Sequence, residues 1–223
     1  MEQMQRKLIQ TSDGSYTVID NHFNEHFHSV NGAIGESEYV FIEQGLKKLS
    51  KTCVNIFEAG FGTGLNAYLT LAYSIKHNIS VHYTAVDMYP LDKSLSDQLN
   101  YPELIFPECR RFFKKLHSTD WNTFQEIIPS FNLRKIAADL ITYNFDEEFD
   151  LIYFDAFSPG TQPELWTKEI FYKINKAMIT NGLLVTYSSS GNVRRSLMSA
   201  GFHVEKIKGP GKKRHMLRAI KIS

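Results

Sequence analysis

Apolar positions along this chain come in short runs separated by longer mixed stretches. From residue 54 onward, runs at 54–57, 81–86, 134–139, 151–154, 182–187, 202–207 and 216–222 predict seven strands, with helical stretches between most of them. Strands alternating with helices argue for a parallel sheet covered by helices on both faces. The last two runs are joined only by Lys208-Gly209-Pro210-Gly211-Lys212. That turn-rich link suits a hairpin and is too short for a helical crossover, so one strand must run antiparallel.

Upstream, β-prone runs at 7–11 and 16–20 flank Ser12-Asp13-Gly14-Ser15, and Asp-Gly between such runs predicts a hairpin. Residues 22–37 are polar and aromatic with two glycines, and read as an ordered loop over a site. Val40, Phe41, Leu46 and Leu49 suit a short helix within 38–49. Between the second and third strands lies an aromatic-rich stretch, about 90–133, holding Tyr101, Phe106, Phe112, Phe113, Trp121, Phe124 and Phe131. It is expected to be a helical insertion, most of its aromatics being core. The expected organisation is a hairpin with a covering loop and helix over 1–50 and a Rossmann-like unit over 51–223, together effectively one domain.

With 223 residues and 43% hydrophobic content there is material for one sizeable core. The net charge of +1 and mean hydropathy of −0.28 give no overall polybasic signature, so any nucleic-acid surface must be local. Cys53 and Cys109 lack metal-ligand spacing and a secretory context, which predicts free thiols in a reducing cytoplasm. The N-terminus has no apolar signal core, and no run approaches the ~20 apolar residues of a membrane span. A cytoplasmic location without membrane association is the expectation.

The most informative chemistry follows the first of the seven strands: Glu58-Ala59-Gly60-Phe61-Gly62-Thr63-Gly64-Leu65-Asn66. Glycines suit a sharp strand-to-helix turn approached closely by a ligand. A dinucleotide fingerprint would need its third glycine at position 65, where Leu65 stands. The spacing E-x-G-x-G-x-G is instead that of the first motif of S-adenosylmethionine-dependent methyltransferases, making Glu58, Gly60, Gly62, Gly64 and Asn66 candidate cofactor-binding residues. The expected fold is then the class I methyltransferase variant of the doubly wound α/β sheet, seven-stranded and mostly parallel. An ordinary strand-to-helix turn is the structural alternative.

Ligands of open α/β sheets bind beyond the carboxyl ends of the strands, so acids there matter most. Asp87, with Met88 beside it, lies roughly 20 residues past the glycine loop, where an acid accepts from ribose hydroxyls; a helix N-cap or turn residue is the alternative reading. Asp139, at the end of the third predicted strand, is a candidate acceptor for an adenine amino group. Asp155 ends the fourth and continues into Ala156-Phe157-Ser158-Pro159. Methyl transfer needs an aligned, unprotonated nucleophile, and an amine must first lose a proton. Asp155 is the candidate to take it, with Phe157, Ser158 and Pro159 shaping the pocket. Asp-x-x-Ser-Pro is also a common strand stop. Glu36 and Ser37, in the covering loop, are placed near the cofactor.

Taken together, these residues resemble the methyltransferase domain of the bifunctional bacterial tRNA-modifying enzyme MnmC and its stand-alone relatives. The resemblance runs over Asn31-Gly32-Ala33-Ile34-Gly35-Glu36-Ser37, the glycine loop, Phe154-Asp155-Ala156-Phe157-Ser158-Pro159, Pro163-Glu164-Leu165-Trp166 and Thr186-Tyr187-Ser188-Ser189-Ser190-Gly191-Asn192-Val193-Arg194-Arg195. It closes on Gly209-Pro210-Gly211-Lys212-Lys213-Arg214-His215-Met216-Leu217. It implies methylation, by S-adenosylmethionine, of the primary amine of a 5-aminomethyl group on the wobble uridine of tRNA, with Asp155 as the acid-base residue. The bifunctional enzyme also carries a flavin-dependent oxidase domain; this chain ends at Ser223 without one, which implies a separate enzyme supplying the aminomethyl intermediate, or a different substrate. Asp87 stands where Glu is expected in the family.

With that resemblance, the basic residues Arg194, Arg195, Lys212, Lys213 and Arg214 become candidates for tRNA phosphate contact near the anticodon. Phe157, Trp166 and Tyr187 are candidates to stack on a flipped-out base. His22, His26 and His28 with Glu25 superficially suggest a metal cluster, but the segment lacks helical periodicity and no metal site is assigned. Small-molecule methylation, aminopropyl transfer as in spermidine synthase, and catalytically silent RNA binding remain open readings of the residues.

Overall fold

The computed structural model describes residues 6–222. The chain opens with β1 (Arg6–Gln10), β2 (Tyr16–Asp20) and the two-residue β3 (Glu25–His26), which form a small antiparallel sheet. Helix α1 (Ala33–Ser37) runs into a wider π turn over Glu38–Glu43. Then come β4 (Cys53–Ala59), α2 (Leu65–His77), β5 (Ser80–Asp87), the insertion helices α3 (Lys93–Ser96), α4 (Tyr101–Ile105) and α5 (Arg110–Ser118), β6 (Phe124–Ile128) and β7 (Phe131–Ala137). The chain finishes with β8 (Phe149–Phe154), α6 (Lys168–Lys176), β9 (Met178–Thr186), α7 (Gly191–Ser199), β10 (Phe202–Lys208) and β11 (His215–Lys221).

The main sheet has eight strands in the order β10-β11-β9-β8-β4-β5-β7-β6. Neighbours from β9 to β7 are parallel, and β11 is antiparallel to both β9 and β10. All seven expected strands are present, and the expected antiparallel strand is β11, inserted between β9 and β10. The eighth strand, β6, corrects the reading of the insertion as helical: its tail pairs antiparallel with β7. Phe124 is half exposed and only Ile127 is buried, so an edge strand left no clean alternation to read. A second correction concerns 22–37, which holds β3 and α1. The two-residue β3 is defined only by pairing with β2, and α1 is held by Asp13, 22 residues upstream of Gly35, whose N donates to Asp13 Oδ2 at 3.2 Å.

Period-2 alternation divides the central strands between two cores. Ile56, Tyr83, Leu151, Tyr153 and Val185 face α2 and the insertion, whereas Phe57, Ile152, Phe154 and Leu184 face α6 and α7. Side chains buried on both faces leave the carboxyl ends of β4, β5 and β8 as the open part of the sheet. Cys53 and Cys109 are free. Among the described residues no helix is long and apolar enough to cross a membrane.

Candidate active site

The central strand β4 has β5 and β8 as its two neighbours, so the segments following all three strands meet at one point. Gly60 N donates to Val86 O at 2.9 Å, and Asp155 N donates to Ala59 O at 3.1 Å. At φ +93° Gly60 adopts a conformation that side chains disfavour, and a Cβ there would stand 3.0 Å from Asp155 O. Gly62 is likewise at positive φ; the Phe27 ring lies 2.9 Å from where its Cβ would be. The Asp87 carboxylate fixes the loop: Oδ2 accepts from Gly62 N and Oδ1 from Tyr89 N, each at 2.8 Å.

Above these strand ends opens a cavity of about 560 Å³. Of the residues singled out in the sequence, Glu36, Ser37, Gly60, Gly62, Asp87, Met88, Asp139, Asp155, Phe157 and Lys213 line it. Glu58, Gly64 and Asn66 do not: all three are buried behind the wall. Ser158 and Pro159 follow Phe157 in the loop after β8. Trp166 is 4% exposed, packs on Phe154 and Phe171, and donates from Nε1 to Phe157 O at 2.8 Å. Its place is therefore under the loop as a support, which corrects the expectation that its ring is free to stack on a base. Arg194, Arg195, Lys212 and Arg214 are exposed and outside the cavity.

Part of the wall comes from the N-terminal segment, including residues 22–37 expected over a site, but the sequence pattern did not reveal the contacts that hold it there. Arg6 Nε donates to Asp20 Oδ2 at 2.8 Å while its two terminal nitrogens donate to Tyr89 O and Pro90 O at 2.9 Å, tying β1 to the segment after β5. Glu25 accepts from Ser158 N at 3.2 Å and from Ser158 Oγ at 3.1 Å. Phe23 and Phe27 pack on Phe157 with ring centroids 4.9 and 5.2 Å apart. The aromatic density of 22–28 was the one available signal for this. His28, from the rejected metal group, instead meets Thr63 Oγ1 through Nε2 at 2.6 Å, and burial lowers its pKa to about 4.

Charge in the site centres on Asp155. Burial pushes its carboxyl well above the usual range, and the nearby Glu36 adds to this; a hydrogen bond from Asn66 and the charge of Lys213 act the other way. Glu58, 1% exposed, is also pushed well up by burial first and by Asp155 second. Burial raises Asp87 too, against the lowering effect of its backbone donors. Across the cavity, Lys213 Nζ pairs with Glu36 Oε2 at 2.8 Å and lies 5.3 Å from the Tyr187 ring centroid.

A glycine loop without room for side chains, an acid at the end of β5 and another just beyond β8 stand together where the class I methyltransferase fold leaves its sheet open. The family model for S-adenosyl-L-methionine-dependent methyltransferases matches residues 111–222, and the chain belongs to that family. It is 31% identical over 222 residues to the tRNA 5-methylaminomethyl-2-thiouridine biosynthesis bifunctional protein MnmC of Nitrosospira multiformis, covering 90% of this chain and 35% of that protein. It is 28% identical over 219 residues to the protein of the same name from Pseudomonas entomophila, covering 89% and 32%. The chain thus spans about a third of the length of these curated relatives. The crystal structure of MNMC2 from Aquifex aeolicus superposes with a TM-score of 0.81 at 27% identity, covering 98% of this chain and 71% of that one. Spermidine synthase from Thermotoga maritima, at 13% identity and a TM-score of 0.54, shares the fold alone.

Proposed function

We propose that this chain methylates the primary amine of a 5-aminomethyl group, with or without 2-thiolation, on the wobble uridine of tRNA. The observation that carries the reading is Asp155: a carboxylate on the cavity wall, at the end of β8, backed against the glycine loop. The names of the relatives supply the acceptor class, and the S-adenosylmethionine-dependent family supplies the donor.

When bound, the cofactor provides an electrophilic methyl group on a sulfonium centre. Gly60 and Gly62 allow its close approach, Asp87 and Met88 would hold the ribose, and Asp139 would accept from the adenine amino group. Glu36 and Ser37 close the opposite wall. The substrate amine arrives largely protonated at neutral pH, so a base must remove that proton before the nitrogen lone pair attacks. Asp155 would take that proton from the ammonium group, freeing the nitrogen lone pair to attack the methyl carbon. A carboxyl raised by burial is a better match for an ammonium group than an exposed one. Phe157, Tyr187 and the added Phe23 and Phe27 offer aromatic faces to a flipped-out base, while Arg194, Arg195, Lys212, Lys213 and Arg214 suit phosphates.

The test is mass spectrometry of wobble nucleosides from cells lacking the protein. Accumulated 5-aminomethyluridine or its 2-thio form is expected. An unchanged nucleoside profile contradicts the proposal.

A further inference from the structure

Asn66 stands in the first turn of α2 and is 2% exposed. Its single Nδ2 has two hydrogens and uses both on carboxylates: one bond runs to Asp155 Oδ2 at 2.7 Å, the other to Glu58 Oε1 at 2.8 Å. Neither Asn66 nor Glu58 reaches the cavity wall, whereas Asp155 does. One carboxamide thus joins the end of β4 to the end of β8 through side chains alone, directly behind the residue read as the base.

We infer that Asn66 is a positioning residue for Asp155, with Glu58 as its anchor, and that neither of them contacts the cofactor. This rests on the reading of Asp155 as proton acceptor. Two torsions aim the Asp155 carboxylate, and a donor on Oδ2 fixes them while leaving Oδ1 to face the amine. The amide can hold that direction only if its own plane is fixed, and the second bond, to Glu58, fixes it. Glu58 suits an anchor because it is held by burial and has Tyr83 and Asp87 of β5 as neighbours. The carboxyl of Asp155 itself is faced by Glu36 from α1, Lys213 from the β10–β11 turn and Tyr187 after β9. Tyr187 donates its hydroxyl to Ala156 O instead, and Asn66, which bonds Asp155 directly, is uncharged, so it stabilises the ionised form without adding a charge that would repel an ammonium substrate.

The pair Asn66→Ala and Asn66→Ser tests this, the serine variant retaining a short donor should the alanine variant fold poorly; thermal unfolding of both checks folding. The acid limb of the pH–rate profile for methyl transfer to tRNA is expected to rise by about one pH unit in Asn66→Ala, the loss of a hydrogen bond to a charged group. kcat at pH 7 should fall on the order of tenfold, and calorimetric affinity for S-adenosylhomocysteine should stay within about twofold of wild type. The serine variant should lie between. Weakened S-adenosylhomocysteine binding with an unmoved acid limb would overturn the inference and return Asn66 to the cofactor. If the wild-type protein methylates no tRNA amine, the functional reading fails by itself; the carboxyl carbon resonance of Asp155 then decides the positioning role. A titration midpoint higher in Asn66→Ala than in wild type supports it, and an equal midpoint overturns it.

Discussion

Lys213 Nζ lies 2.8 Å from Glu36 Oε2, joining the turn between β10 and β11 to helix α1 across the cavity that Asp155 lines. The lysine also lowers the Asp155 pKa from its buried, raised value. Lys213→Ala should therefore move the acid limb of the pH–rate profile upward. The shift should be smaller than that of Asn66→Ala and should shrink with added salt, because the lysine side chain is 42% exposed. Profiles at low and high ionic strength measure this, and a downward shift would show that Lys213 does not act on Asp155.

Glu58 offers a prediction about stability alone. Burial raises its pKa above the ordinary 4.5, so the folded protein retains a proton that the unfolded chain releases. The stability this provides is present below about pH 4.5 and is lost as the pH rises toward the elevated folded value. Glu58→Gln has no proton to lose. Its melting temperature relative to wild type should climb from pH 5 to pH 9, corresponding to at most about 1.4 kcal/mol per pH unit. A gap that does not vary with pH contradicts the raised pKa.

Gly60→Ala places a Cβ at φ +93° and 3.0 Å from a backbone oxygen of Asp155. Neither atom is the tip of a flexible side chain, so strain of about 1–3 kcal/mol is expected in denaturant unfolding. Weakened S-adenosylhomocysteine binding should accompany it. Wild-type stability in this variant would mean that the loop relaxes.

The turn bearing Lys212 and Arg214 is exposed and adjoins the cavity through Lys213. Reversing both charges, Lys212→Glu with Arg214→Glu, should weaken tRNA binding and reduce the slope of log affinity against log salt by about two. S-adenosylhomocysteine binding should not change. An unaltered salt slope would place the tRNA elsewhere.

What was readable in the sequence was what is local. The seven strands appear as apolar runs because both faces of the central sheet are buried, and Gly60, Asp87 and Asp155 stand out because a strand end fixes their position within a few residues. β6 is an edge strand with one buried residue in the middle of an aromatic-rich stretch, so it carried no such pattern. Arg6 and Glu25 were invisible for a different reason: their partners Pro90 and Ser158 lie 84 and 133 residues away, and no periodicity encodes that. Motif spacing likewise grouped Glu58 and Asn66 with the glycines, but it does not specify which way their side chains turn. The structure turns them inward, toward Asp155. Trp166 was read for its chemistry when its burial decides its role.

Methyl transfer measured on purified components tests the proposed reaction itself. tRNA carrying 5-aminomethyluridine, or its 2-thio form, is incubated with S-adenosylmethionine and either the wild-type chain or Asp155→Asn, and the wobble nucleoside is analysed by mass spectrometry. Wild type is expected to form the 5-methylaminomethyl nucleoside, and Asp155→Asn to do so at a rate at least about 10²-fold lower with S-adenosylhomocysteine binding intact. Methyl transfer to polyamines or other small amines but not to the tRNA, or full activity in Asp155→Asn, would contradict it.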